Sequence, residues 1–270
     1  MKLRVQGTSV FASTGSSEHK PGSASLIFIH GAGMDHSVWV MPARYFARHG
    51  YNVLAPDLPG HGMSEGPALQ SIEALSDWCF ALQDALSAQQ TTYVGHSMGS
   101  LISFANAARQ PKRVSRIALL GTSSPMPVSD GLLAAAKDND HAAIDMANTW
   151  SHSAKGALGA SGHPGSCNLH TGMRLLERSA AGVLHADLAA CNGFSAEQFG
   201  QVVNTQALII AGSADQMTPV KSGLKVAAAI PNSQQTVLQG SGHSMLSEQP
   251  NEVLDALSQF LLPAPDEGSS

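Results

Sequence analysis

One serine stands where a nucleophile would be expected. Ser97 lies in the run Gly95-His96-Ser97-Met98-Gly99, which has the pattern G-x-S-x-G. The pattern is informative only in context, and here it follows an apolar run at residues 91–95 and precedes a helix-like stretch at 101–109. A tight strand-to-helix turn would strain the serine backbone and lift its hydroxyl clear of the sheet. The alternative is an ordinary serine in a structural turn.

A base and an acid can be assigned from position as well. A serine hydroxyl needs a base, normally a histidine, and that histidine needs an acid to fix its tautomer. His243 and Asp215 each follow an apolar run and precede a helix-like stretch. The order Ser97, Asp215, His243 is typical of a nucleophile turn in a doubly wound sheet. Asp215 could instead cap the helix that follows it, in which case Asp130 and Asp138 are the reserve acids.

Two backbone N–H groups are candidates for an oxyanion hole. One belongs to Met98, directly after the nucleophile, and the other to Ala32 in the glycine-rich loop after the first apolar run. Gly33 is the second choice in that loop and a candidate substrate contact. A donor of this kind contributes about 3–4 kcal/mol to transition-state stabilisation in typical mutagenesis. A glycine-rich turn without this role is the alternative.

The elements that must position these residues alternate along the chain. Short apolar runs predict strands buried on both faces, at residues 26–29, 52–57, 91–95, 114–120, 206–211 and 235–238. Helical periodicity or flanking prolines predict helices at residues 71–89, 101–109, 219–230 and 251–262. Residues 3–12 are expected to form one or two antiparallel edge strands. The alternation predicts an α/β fold with a doubly wound, mostly parallel sheet.

Residues 125–203 interrupt this alternation. The stretch is rich in Ala, Gly, His and Ser, with helix-like patches at 132–150 and 173–191. We interpret it as a helical lid inserted into a core made of residues 1–124 and 204–270. Met146, Trp150 and Leu184 are its candidate substrate-binding residues. Two crossover helices with long loops are the alternative, and the tail at 263–270 is expected to fray.

The bulk composition excludes several function classes. Hydrophobic residues make up 43% and charged residues 13%, with a net charge of −5. This composition predicts a globular enzyme without the charge pattern that binds nucleic acid or anionic membranes. Apolar runs of about 18 residues are missing, so no membrane span is expected. The first residues lack the apolar stretch of a signal peptide, which favours a cytoplasmic location.

The cysteines and most histidines carry no further prediction of chemistry. Cys79, Cys167 and Cys191 form no C-x-x-C pair and are expected to act as small apolar side chains. Four histidines also lack any metal-binding spacing, namely His61, His96, His163 and His170. We therefore expect neither a metal nor an organic cofactor.

Taken together, the motifs resemble those of the α/β-hydrolase superfamily. The resemblance covers about residues 25–262 and includes His30-Gly31-Ala32-Gly33, Asp57-Leu58-Pro59-Gly60-His61-Gly62-Met63-Ser64, the run around Ser97, Gly212-x-x-Asp215-x-x-Thr218-Pro219 and Gly242-His243. Epoxide hydrolases and haloalkane dehalogenases of this superfamily use aspartate at the position of Ser97, so the resemblance argues against both. It implies a serine hydrolase that needs no cofactor.

The resemblance leaves the substrate open. We expect a carboxylic ester hydrolase that cleaves small to medium uncharged acyl esters through an acyl-enzyme on a Ser-His-Asp triad. The alternatives are a lactonase, such as an acyl-homoserine lactone hydrolase, a thioesterase, a perhydrolase, a carbon–carbon bond hydrolase, or a non-catalytic receptor. The expected partner is a small-molecule ester or lactone, and the chain could be a monomer or a homodimer.

Overall fold

The computed structural model describes residues 1–159, 166–199 and 203–263. Over these ranges one eight-stranded sheet forms the centre of the molecule. Its strands are β1 Lys2–Val5, β2 Thr8–Ser13, β3 Ser25–Ile29, β4 Asn52–Pro56, β5 Thr91–His96, β6 Val114–Leu120, β7 Gln206–Gly212 and β8 Ser233–Leu238. Their spatial order is β1-β2-β4-β3-β5-β6-β7-β8. β1 and β2 pair antiparallel with each other, as do β2 and β4, and the remaining pairs are parallel. The predicted fold class is thus confirmed.

Helices cover the sheet. They are α1 Val40–Arg48, α2 Ile72–Ala85, α3 Met98–Arg109, α4 Asp130–Lys137, α5 His141–Ser151, α6 Ala154–Ala157, α7 Asn168–Glu177, α8 Val183–Gly193, α9 Val220–Ala228, α10 Met245–Glu248 and α11 Pro250–Leu261. Of these, α4 to α8 lie between β6 and β7 in the sequence. Short 3₁₀ turns lie at His36–Trp39, Pro111–Arg113 and Ala196–Phe199. In the part of the chain that is described, no helix is long and apolar enough to cross a membrane.

The continuous apolar strands separate two cores. Along β3 the side chains of Leu26 and Phe28 join one buried cluster, while Ile27 and Ile29 join the other. This follows from the two-residue period of a strand, which sends successive side chains to opposite faces of the sheet. Helices α2 and α3 cover the Ile27 face, and α1 and α11 cover the Leu26 face. Packing on both faces fixes the carboxyl ends of such strands, and the candidate site residues come directly after strand ends.

The segment between β6 and β7 is helical where it is described. We call residues 125–203 the helical insertion; within its described part it contains α4 to α8 and no strand. A small apolar core of its own forms where α4, α5, α7 and α8 meet, from Leu132, Ala136, Ala143, Ala147, Leu176 and Leu188. Residues 160–165, which include His163, residues 200–202 and the tail 264–270 lie outside the described residues.

Some predicted helix boundaries were wrong. The patch at 132–150 is two helices, α4 and α5, because Asn139 between them takes a left-handed backbone with φ +52°. The patch at 173–191 is likewise divided into α7 and α8, and Gly182 before α8 has φ +80°. Helix α3 begins at Met98 rather than at residue 101, since the nucleophile turn runs straight into it. The sequence reading did not find α1 at all.

Candidate active site

The nucleophile turn joins β5 to α3 with Ser97 at its apex. Ser97 has φ +53° and ψ −119°, a conformation that costs a non-glycine residue on the order of 1–3 kcal/mol. A side chain at Gly95 would overlap the carbonyl group of Gly99, and one at Gly99 would overlap the carbonyl oxygen of Ile29. The N–H of Ser97 donates to Leu120 O on β6 at 2.8 Å. Close backbone packing therefore holds the strained serine in place.

Asp215 and His243 form a buried hydrogen-bonded pair. The His243 Nδ1–H donates to Asp215 Oδ2 at 2.8 Å. Asp215 follows β7 and His243 follows β8, so both lie at the carboxyl edge of the parallel sheet, as Ser97 does after β5. The Thr218 hydroxyl donates to the same Oδ2 at 2.7 Å, and the N–H groups of Met217 and Thr218 donate to Oδ1 at 2.9 and 2.8 Å. Asp215 is thus bonded as an anion on both oxygens.

The charge states of this pair follow from its surroundings. Burial alone would raise the pKa of Asp215, but the charge and hydrogen bond of His243, with the bonds from Thr218, outweigh it and lower that pKa. The other imidazole nitrogen of His243, Nε2, is buried and has no hydrogen-bond partner within the described chain. His243 and Ser97 line the same cavity. The unpartnered Nε2 leaves this imidazole able to accept a proton.

His96 and Gly121 lie next to the imidazole of His243. The His96 ring lies 4.9 Å from the His243 ring, and His96 Nε2–H donates to the carbonyl oxygen of His243 at 2.8 Å. Burial, and then the charge of His243, lowers the pKa of His96 to about 3, so this neighbour stays neutral. A Cβ at Gly121 would lie 2.9 Å from His243 Cε1. The glycine after β6 therefore leaves the space that the imidazole occupies.

The loop after β3 lies against the nucleophile turn. A Cβ on Gly31 would be 3.2 Å from the Cβ of Ser97. His30 Nε2 accepts the N–H of Leu58 at 3.1 Å, which leaves Nδ1–H to donate to Gly31 O at 2.9 Å. Burial, and then the charge of His61, lowers the pKa of His30 to about 4, so its imidazole is neutral. The core thus fixes the first peptide of this loop.

The two candidate oxyanion donors belong to the loop after β3 and to the start of α3. Ala32 lines the cavity together with Ser97. Met98 begins α3, so its N–H belongs to the first turn, where no intrahelical acceptor exists. The positive end of the helix dipole favours negative charge at the same place. Gly33, the second choice, donates its N–H to Asp187 Oδ2 at 2.8 Å and is not free for an oxyanion.

A cavity of about 380 Å³ opens over Ser97 between the core and the helical insertion. Its volume falls within the range of about 300–1,000 Å³ that is usual for small-molecule sites. Apolar side chains make up most of its wall, namely Met34, Met126, Val128, Leu132, Trp150, Leu176, Leu184, Leu188 and Met217. None of its described lining residues is Asp, Glu, Lys or Arg. The cavity suits an uncharged, apolar group.

The predicted substrate-binding residues divide into two groups. Trp150 and Leu184 line the cavity. Met146 is not among the lining residues and packs against the small core of the insertion. Gly33 also lies off the cavity wall: a Cβ there would meet the side chains of Leu176 and Leu184 at 3.1 Å. Met146 and Gly33 therefore lie outside the described cavity wall, and a role for either in substrate binding stays a prediction.

Several residues of the site were missed by the sequence reading of its chemistry. Thr218 stands within the quoted motif, but its hydroxyl bond to Asp215 carries no sequence signal of its own. Asp187 is a single carboxylate on the apolar helix α8, and that contrast was the one available signal. Cys191 lines the cavity wall from the same helix. Burial raises the pKa of its thiol, so it does not compete with Ser97 as a nucleophile.

One further cluster has the side chains of a metal site. The carboxylates of Asp35 and Asp57 and the imidazole of His36 present ligand atoms within 4.8 Å of one another. His36 Nδ1 is hydrogen-bonded to Asp57 Oδ1 at 2.7 Å, which raises the pKa of His36 despite partial burial. Asp57 also accepts the N–H of Met63, and Asp35 pairs with Arg178 at 2.6 Å. These bonds already account for the cluster as a support of its loop.

Two curated hydrolases are similar in sequence to part of this chain. Over 96 residues the chain is 36% identical to (E)-2-((N-methylformamido)methylene)succinate hydrolase of Acinetobacter baylyi, covering 35% of this chain and 36% of that protein. Over 115 residues it is 36% identical to 2-hydroxymuconate semialdehyde hydrolase of Pseudomonas sp., covering 40% of each chain. The chain therefore matches well under two thirds of the length of these relatives.

Solved structures and family models extend the likeness to the whole fold. An enol-lactonase from Burkholderia xenovorans superimposes with a TM-score of 0.84 at 21% identity, over 97% of this chain and 100% of that one. A thermophilic esterase does so with a TM-score of 0.78 at 25% identity, over 97% and 96%. The family model described as alpha/beta hydrolase fold matches residues 24–167, and that described as TAP-like protein matches residues 183–267. The chain belongs to the alpha/beta hydrolase fold family.

Proposed function

We propose that the protein is a serine hydrolase that cleaves uncharged carboxylic esters of small to medium acyl groups. One observation carries the proposal. The imidazole of His243 is held through Nδ1 by an ionised Asp215, and its Nε2 is unpartnered beside the cavity that Ser97 lines. A neutral imidazole with one nitrogen fixed and the other free is the base that a serine nucleophile requires.

The proposed reaction proceeds through an acyl-enzyme. His243 Nε2 takes the proton of the Ser97 hydroxyl while Oγ attacks the acyl carbonyl carbon. The N–H groups of Ala32 and Met98 hold the negative charge on the carbonyl oxygen, and Asp215 stabilises the imidazolium. His243 then protonates the leaving alcohol as the carbon–oxygen bond breaks. A water molecule, deprotonated by His243, releases the acid by the same steps in reverse.

The cavity supports an uncharged acyl group. Its apolar wall gains from burying hydrocarbon, at roughly 25 cal/mol per Å² of apolar area removed from water. A carboxylate placed there would lose its hydration without a cation to replace it, since the described wall offers no Lys or Arg. An acyl chain that lies along Leu132, Leu176 and Leu188 fits both requirements.

Carbon–carbon bond cleavage is the second candidate. It is favoured by the 36% identity to 2-hydroxymuconate semialdehyde hydrolase over 115 residues. The substrate in that protein's name contains a carboxylate, which the apolar cavity of this chain does not match. Lactone opening uses the same serine and oxyanion donors as ester cleavage, and an uncharged lactone also fits the cavity.

A substrate panel separates these reactions. It contains p-nitrophenyl acetate, butyrate and octanoate, N-acyl-homoserine lactones, and a vinylogous diketone with a carboxylate. We expect kcat/KM to be highest for an ester, and the protein to be labelled by a fluorophosphonate in its native form but not as Ser97→Ala. A lactone or a diketone that turns over orders of magnitude faster than each ester contradicts the proposal. Failure to label Ser97 would instead support a non-catalytic receptor.

A further inference from the structure

A second Asp–His pair joins the helical insertion to the core. Asp187 lies on α8 of the insertion, and His61 lies in the loop after β4. Asp187 Oδ2 and His61 Nε2 are 2.8 Å apart, and both side chains are 1% exposed. The two residues are separated by 126 positions in the chain. This contact is a buried polar link between the insertion and the core.

The hydrogen bonds of His61 define its charge. Its Nδ1 lies 3.0 Å from the carbonyl oxygen of Pro59, and its Nε2 faces the carboxylate. Both oxygens are acceptors, so both ring nitrogens must carry hydrogen and His61 is an imidazolium. Burial by itself lowers the pKa of His61, but the charge and hydrogen bond of Asp187 outweigh it and raise that pKa. His30, 4.9 Å away, is the neutral ring beside it, and Asp57 adds a weaker favourable charge.

The same carboxylate oxygen also binds the loop after β3, residues 30–33, which carries the candidate oxyanion donor Ala32 and is called the oxyanion loop. Asp187 Oδ2 accepts the N–H of Gly33 at 2.8 Å as well as the N–H of His61. Gly33 directly follows Ala32, and the carbonyl of Gly31 on the other side is held by His30. The peptide whose N–H would face the oxyanion is therefore fixed at one end by the core and at the other end by the insertion.

We propose that Asp187 is a positioning residue for the oxyanion hole, which it holds through Gly33 while the His61 imidazolium neutralises its charge. This inference rests on the proposed function, since it assumes that the Ala32 N–H stabilises an oxyanion. Asp187 touches no substrate: it does not line the cavity. The insertion thus completes the catalytic geometry as well as the cavity wall.

The single oxygen that serves two donors makes Asp187→Asn an informative variant. An amide oxygen at the Oδ2 position leaves the buried imidazolium without its counter-charge and places an NH₂ group at the Oδ1 position, where the described structure offers no partner. An NH₂ group at the Oδ2 position removes the acceptor of the Gly33 N–H. Either arrangement loosens the loop that carries Ala32.

The first arm of the test is kinetic. Loss of one oxyanion donor costs about 10²–10³ in kcat, and a displaced donor costs less, so Asp187→Asn should lower kcat about 10- to 100-fold and change KM less than about threefold. Asp145→Asn is the matched control, because Asp145 is an exposed carboxylate on the insertion that pairs with His141. It should keep native kcat. A rise in KM with kcat unchanged, or native kcat in Asp187→Asn, overturns the proposal.

The second arm reads the charge of His61 without any substrate. In ¹⁵N-histidine-labelled Ser97→Ala protein at pH 7.5, the His61 ring, assigned by its loss in His61→Gln, should show two protonated nitrogens. It should be neutral when Asp187→Asn is added. A neutral His61 in the parent refutes the ion pair, whatever the enzyme hydrolyses. If Asp187→Asn does not fold, the kcat of His61→Gln replaces it, and native kcat there counts against the proposal.

Discussion

Two buried Asp–His pairs lie near the cavity, and their second ring nitrogens have different surroundings. Asp215–His243 and Asp187–His61 both join a carboxylate Oδ2 to a ring nitrogen at 2.8 Å, and both are buried. In the first pair the second ring nitrogen has no partner in the described structure, whereas in the second it faces the carbonyl of Pro59. The first imidazole can accept a proton, and the second is already charged.

The comparison shows that an Asp–His pair has no fixed role. The partner of the second ring nitrogen decides whether the histidine can act as a base or serves only to pair with the carboxylate. His243 lines the cavity together with Ser97, and its Nε2 has no partner in the described structure, so we propose that its carboxylate partner fixes the tautomer. His61 is enclosed by acceptors, so its charge serves to balance a buried carboxylate. The proposed roles of the two pairs can be tested separately, beginning with the larger effect.

Ser97→Ala removes the group that makes the first pair catalytic. We expect kcat to fall by roughly 10⁶-fold, as it does when a triad serine is removed, while the melting temperature stays near native. Alanine meets the same backbone strain at φ +53° and leaves no cavity in the core. Rate measurements and a thermal melt on one sample check both parts. Residual activity above one per cent would show that another group attacks the substrate.

Asp215→Asn should reduce kcat by about 10⁴-fold through the wrong imidazole tautomer. The variant keeps the shape of the carboxylate but can donate to Nδ1 rather than accept from it. The same substitution is compared in the two pairs. The loss of kcat should be at least 100-fold larger in Asp215→Asn than in Asp187→Asn. Equal losses in the two variants would contradict the division of roles, and full activity in Asp215→Asn would point to Asp130 or Asp138.

The Asp187–His61 pair should instead make the free energy of unfolding depend on pH. The raised pKa of His61 means that the pair's stabilisation is fully present below the unfolded value of about 6.5 and is lost as pH rises through the folded value. Breaking a buried ion pair costs about 3–5 kcal/mol. Urea titrations of native protein and Asp187→Asn should therefore differ most near pH 6, and the difference should shrink as the pH rises above the unfolded value. A constant difference across this range would speak against a charged His61.

The smallest effect concerns the cavity wall. Leu184→Ala enlarges the cavity by three carbon atoms, so the ratio of kcat/KM for octanoate to butyrate should rise about 10-fold, within the range that a pocket methylene supplies. Leu133→Ala is the control, because Leu133 packs in the insertion without lining the cavity. An unchanged ratio in Leu184→Ala would mean that the acyl chain lies elsewhere.

The parts that sequence predicted are those with a local pattern. Strands buried on both faces read as apolar runs, and Ser97 and Asp215 each follow such a strand at the carboxyl edge of the sheet, while His243 follows the partly exposed edge strand β8. The pair of His61 and Asp187 has no such signal, because 126 residues separate its members and burial alone makes their contact significant.

The cavity-facing residues of the insertion were harder to predict, because the sequence does not show which side of each helix packs towards the sheet. A helix advances about 100° per residue, so neighbouring residues on α5 face different directions. Ala147, Trp150 and Ser151 line the cavity, whereas Met146, one residue before Ala147, is not a lining residue and packs against the insertion core. Which side chains of α5 line the cavity depends on how the helix packs against the sheet. The break at Asn139 similarly depends on a left-handed residue that the apolar pattern around it conceals.

Helix α8 has one further consequence for how this enzyme could change. It carries Leu184, Leu188 and Cys191 on the cavity wall and Asp187 between them on the oxyanion loop. Three turns of helix move as one body, so an acyl chain that displaces the wall also displaces the carboxylate. Under the proposed function, both the acyl preference and kcat depend on the position of α8, so a wall redesigned for larger acyl groups should also need mutations that restore the position of α8.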